Sequence, residues 1–131
     1  MIRIPAASLV VGLATSGCLL AAAGAGAGGA VYLSDRGAES VVAATVADAF
    51  EATRQAFSEL GIEQTKSTTV QETTGERREI EGRADDRDVK VTVRTQGESA
   101  KVEVTVQRSA VTWDKDFAKR VLERIVALSS K

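Results

Sequence analysis

The sequence predicts an α+β domain: two helices packed on one face of a four-stranded antiparallel meander sheet, in the order α-β-β-β-β-α. Three observations carry that expectation. Apolar residues recur at helical spacing after Val46 and again after Phe117. Between them, valines alternate with polar residues at the period of a strand. The alternating segments also fall into register across short turns.

The first helix is read from Val46, Ala49, Phe50, Phe57 and Leu60, which share one stripe with Thr53. Asp48, Glu51, Arg54, Gln55 and Glu59 fall mostly off the stripe, and Gly61 stands where a helix ends in a left-handed residue. Phe50 and Phe57 are therefore read as core. A weaker strand spans Ile62 to Val70, with Gln64 and Lys66 among its inward positions, as suits a defended edge. Thr73-Thr74-Gly75-Glu76 is the expected loop after it.

Val89, Val91 and Val93 alternate with Lys90, Thr92 and Arg94, and Val102, Val104 and Val106 with Lys101, Glu103 and Thr105. Antiparallel pairing of Val93 with Val102, Val91 with Val104 and Val89 with Val106 centres a turn between Gly97 and Glu98. Pairing Ile80, Gly82 and Ala84 with Val93, Val91 and Val89 centres another on Asp86-Arg87. The closing helix starts at an Asp114 N-cap, with Asp116 in its first turn. Phe117, Ala118, Val121, Ile125 and Leu128 form its buried stripe, with Val126 at the margin. Both helices can then cover one sheet face. The other face, carrying Glu81, Arg83, Lys90, Thr92, Arg94, Lys101, Glu103 and Thr105, is expected to be wet and mixed in sign.

Bulk properties narrow the chemistry. The 131 residues allow one domain at most, and the net charge is −1. No basic block stands out and aromatic residues make up only 4%, which argues against a nucleic-acid partner. Histidine is absent and Cys18 is the sole cysteine. The usual general base, a Cys-His dyad and an internal disulfide are thereby excluded. No metal or diffusible cofactor is indicated. Asp85, Asp86 and Asp88 lack the spacing of a calcium loop and read as a solvated turn. Glu81 and Glu103 could imitate a glycosidase pair, but on an open face that does not exclude water.

The N-terminus carries the most specific signal. Arg3 follows Met1-Ile2, Ala6 to Ala14 is apolar, and Ala14-Thr15-Ser16-Gly17-Cys18 closes with small residues and a cysteine. This layout is that of a cleavable secretory leader over residues 1–17, and Ser16-Gly17-Cys18 resembles a lipobox. The resemblance implies a diacylglycerol on the Cys18 sulfur, cleavage before it, and an N-acyl chain on the new amine. It also implies attachment to a membrane of the bacterial envelope facing the periplasm; Leu19 after the cysteine fits sorting to the outer membrane.

An uncleaved membrane span is the rival reading, because no charge occurs from Ile4 to Ser34. Gly24 and Gly28 have the spacing of a helix-packing motif. Against it, Ala21 to Ala30 is almost pure alanine and glycine, and the apolar weight sits before Cys18. Residues 18–40 are therefore read as a lipidated cysteine with a Gly/Ala-rich tether, and 41–131 as the α+β domain.

The leader with Cys18, the run ending in Val31-Tyr32, and the phrases Leu60-Gly61-Ile62, Ile80-Glu81-Gly82-Arg83 and Phe117 to Ile125 together resemble a family of small bacterial lipoproteins, domain of unknown function 3568. The resemblance spans nearly the whole chain and implies no catalytic residue. The expected role is a non-catalytic binding or scaffolding module whose partner is another envelope component. Trp113 reads either as core, stapling the start of the last helix, or as an exposed interaction anchor.

Overall fold

The computed structural model describes residues 31–129. The leader, Cys18, Gly24 and Gly28 lie outside the described residues. Among the described residues the architecture is α+β, with two helices and an antiparallel sheet. The sheet has seven strands, not four. In chain order the elements are β1 (Tyr32–Leu33), β2 (Gly37–Val42), α1 (Val46–Leu60), β3 (Glu63–Glu72), β4 (Gly75–Ala84), β5 (Arg87–Gln96), β6 (Ser99–Ser109), β7 (Thr112–Trp113) and α2 (Lys115–Ser129).

Across the sheet the order is β1-β2-β6-β5-β4-β3, and β7 also pairs with β6. β3 to β6 form the expected meander. The added strands are short. β2 begins four residues before the expected domain boundary, so Gly37 to Ser40 lie in the sheet and not in the tether. Its inward residues Ala38, Ser40 and Val42 mix small, polar and apolar side chains, which hides the alternation of a strand. β1 and β7 have two residues each, too few for any periodic signal.

α1 is capped as its sequence requires. The Thr45 hydroxyl accepts from the Asp48 N–H at 3.0 Å, and Gly61 takes φ 71° and donates to the last carbonyls. Val46, Ala49, Ala52, Thr53, Ala56 and Phe57 are buried, with Phe50 and Leu60 partly so. The Thr53 hydroxyl donates to the Ala49 carbonyl at 2.8 Å and so is satisfied inside the core. α2 buries Phe117, Ala118, Val121, Leu122, Ile125 and Val126. Leu122 is fully buried although the expected stripe passes it by, and Leu128 is only partly covered.

Both helices lie on one face and touch each other, α1 over β4 and β5, α2 over β2 and β6. Beneath them Val89, Val91, Val93, Val102, Val104 and Val106 are at most 1% exposed. Each such side chain contributes on the order of 1.5–3 kcal/mol when fully buried. The β5–β6 register is as expected, with Val89 opposite Val106, Val91 opposite Val104 and Val93 opposite Val102. Gly97 supplies the turn with φ 62°.

The β4–β5 register differs by one pair. Ile80 faces Val91 and Gly82 faces Val89, so the turn closes on Asp85-Asp86 instead of Asp86-Arg87. Asp85 takes φ 58°, a conformation aspartate tolerates. The shift leaves Arg87 in the strand, where its guanidinium reaches both Asp114 and the Phe117 ring. Because the slip is an even number of residues, the inward set is unchanged.

β3 carries a second correction. A bulge between Gln64 and Lys66 breaks the alternation, so Lys66 stands opposite Glu81 on the helix-free face. The loop after β3 shrinks to Thr73-Thr74, since Gly75 and Glu76 already belong to β4. Gly82 leaves the space where α1 meets the sheet: a Cβ there would stand 2.7 Å from the Ile62 side chain and 2.8 Å from the Phe57 ring.

Candidate functional site

With α1 and α2 on one face, no described element covers the opposite face of β2, β6, β5 and β4. It forms a shallow, open depression of about 860 Å³, lined among others by Arg36, Glu39, Glu81, Lys90, Glu103 and Trp113. Strand pairing sets its side chains in rows. Glu39, Glu103, Thr92 and Glu79 stand side by side across four strands, and Val41, Lys101, Arg94 and Arg77 form the adjacent row.

Like charges directly opposite one another are unfavourable, and the two rows offset each other diagonally. Lys101 Nζ lies 3.0 Å from Glu39 and 3.6 Å from Glu103, Arg94 lies 3.7 Å from Glu103, and Arg77 bonds Glu79. Lys90 adds a contact to Glu79 at 3.7 Å. The hydrogen bond to Glu39 raises the Lys101 pKa above its ordinary value, despite some desolvation that acts the other way. The expected wet, mixed-sign surface is thus an ordered lattice of ion pairs.

Trp113 stands at one margin of this face. It belongs to β7, pairs with Gln107 on β6, and is half-buried, between the two readings its sequence position allowed. β2 pairs with β6 up to Thr105 and β7 takes over from Gln107, so the two short strands share one flank of β6. That places Arg36, just ahead of β2, over the Trp113 ring at 5.2 Å. No sequence signal links these residues, which are brought together by two strands of two and six residues.

Beneath Trp113 the sheet is locked to α2 by Asp114. One carboxylate oxygen accepts from the Phe117 N–H at 3.0 Å, and the other accepts from Arg87 Nε at 2.9 Å. The Asp114 N–H donates to the Val106 carbonyl at 2.8 Å, and Arg87 stacks on Phe117 at 4.5 Å. The Phe117 N–H, and then Arg87, hold the Asp114 carboxyl below its usual range against partial burial. The expected N-cap is therefore also the joint between β5, β6 and α2.

The acidic turn is part of the rim. Asp88 pairs with Arg83, and Asp86 lies 3.8 Å from Arg108. Glu81 and Glu103 stand on non-adjacent strands of the open face. Among the described residues no group of three or more acids or cysteines is placed to hold a metal ion, and no helix is long and apolar enough to cross a membrane.

Fold and face together define a small α+β domain with one packed side and one uncovered, ionic side. The chain belongs to the family described as "Protein of unknown function (DUF3568)", which matches residues 1–127. No curated protein matches it.

Proposed function

We propose that this protein is a lipid-anchored component of the bacterial envelope whose domain binds or scaffolds another envelope component without catalysis. Ser16-Gly17-Cys18 after an apolar leader supports the anchor, with a diacylglycerol and an N-acyl chain on Cys18. The observation that carries the binding role is the uncovered face with Trp113 and Arg36 at its margin. The helix side is consumed by packing, whereas this side offers ordered charges and one half-buried aromatic, a composition suited to a polar protein surface. An open face does not shield a reaction from water, and three of its carboxylates, Glu39, Glu79 and Glu103, are paired with cations, which favours binding over turnover.

Two measurements test the reading. Intact mass of the membrane-extracted protein is expected to show a start at Cys18 with acyl chains; an unmodified Met1 start would replace the lipid anchor with a membrane-spanning Gly/Ala segment. Photo-crosslinkers at Thr92 and Thr105 are expected to capture a partner in cells, whereas one at Asp48 on the outer side of α1 is not. Equal capture from both sides would remove the face from consideration.

A further inference from the structure

We propose that β3 is a self-complementary edge through which two copies of this chain join their sheets. Among the described residues β3 has a neighbour on one side only, β4, and it is exposed along nearly all of its ten residues. Its outer row of N–H and C=O groups is therefore open to another strand. One end is defended, by the bulge at Thr65 and by Lys66. From Ser67 to Gln71 the strand carries no charge, proline or glycine, and three of the five residues are β-branched. Such a polar strand offers no apolar groove. What it offers is backbone pairing with charges at its ends.

The regular stretch Lys66–Glu72 fits itself. A two-fold axis normal to the sheet through Thr69 pairs all seven residues with a second copy. Thr69 faces itself, Thr68 faces Val70, Ser67 faces Gln71, and Lys66 faces Glu72 twice. Such an axis keeps like faces together, so only residues on the same face can oppose one another. Lys66, opposite Glu81, and Glu72, bonded to Arg77 at 2.9 Å, both meet that condition.

Sliding by one pair in either direction sets Lys66 against Val70 or beyond the strand end, and the charge match is lost. Lys66 has no ion-pair partner among the described residues. In the pair, each Glu72 would lie between Arg77 of its own chain and Lys66 of the second copy. The product is one continuous sheet with α1 and α2 of both copies on one side. This charge match is why the occupant is a second copy and not an extended segment of another protein. The inference does not depend on the lipid anchor.

The test uses the full chain with Cys18→Ser. Mild oxidation of Thr69→Cys should trap a covalent dimer, whereas Glu98→Cys, on the exposed β5–β6 turn, should not. Sedimentation should show that Lys66→Glu and Glu72→Lys each weaken self-association about tenfold, since both cross-strand pairs become repulsive. An equimolar mixture of the two variants should restore association, because each unlike pair is then rebuilt. Circular dichroism identifies any variant that fails to fold. The proposal is overturned if Thr69→Cys traps no more dimer than Glu98→Cys, or if folded variants associate no better mixed than alone. Trapping only by an added peptide of different sequence would assign the edge to another protein and equally overturn it.

Discussion

Asp114 joins α2 and β5 through its carboxylate and β6 through its backbone N–H, so loss of the side chain is felt beyond a surface ion pair. Asp114→Ala strips the α2 cap and leaves the buried side of Arg87 without its acceptor; a loss of about 1–2 kcal/mol is expected from urea unfolding. The pH dependence has a definite sign. A carboxyl held below its usual range when folded contributes stability above the unfolded pKa, and that contribution disappears as pH falls through the folded value. Asp114→Asn should therefore narrow the stability gap between about pH 7 and about pH 3 relative to the parent chain. An unchanged gap would show that other acids control the acid limb. At Gly82 the constraint is space: a methyl group would press on Ile62 and Phe57, and Gly82→Ala should cost roughly 1–3 kcal/mol by the same assay.

β2 shows how an element can matter more than its sequence signal. Ala38 and Val42 lie under α2, and Ser40 is 1% exposed beside them, yet its first four residues, 37–40, read as part of a tether because one inward position in three is polar. A chain starting at residue 31 is expected to unfold cooperatively in a urea titration, whereas one starting at residue 43 should lose the cooperative transition. The longer elements were legible for a physical reason: fifteen-residue helices and strands with three inward valines leave complete periodic patterns. The β5–β6 pairing was legible in full, since Gly97 and three valine pairs agree. The β4–β5 turn was not, because Asp85 in a left-handed conformation and the reach of Arg87 to Asp114 are tertiary facts. The same holds for the Arg36–Trp113 stack, which depends on β2 and β7 meeting along β6.

At the scale of the whole molecule, the two sides differ in how conditions should affect them. The core between the helices and the sheet is apolar and little affected by salt, while the ionic side depends on screening. Lys101→Met leaves Glu39 and Glu103 opposed without their shared cation, and a loss of about 0.5–1 kcal/mol is expected at low ionic strength. That loss should shrink in about 1 M salt, where the screening length falls to a few ångströms; a salt-independent loss would point to packing by the lysine stem. The sheet order has a mechanical consequence as well. The chain joins the sheet at β1, and β3 is five strand spacings away, roughly 24 Å. Whatever holds residue 31 grips the sheet at one margin and leaves β3 as the outboard end of a cantilever. Two molecules held side by side at a surface could then meet at their tips while their roots stay apart.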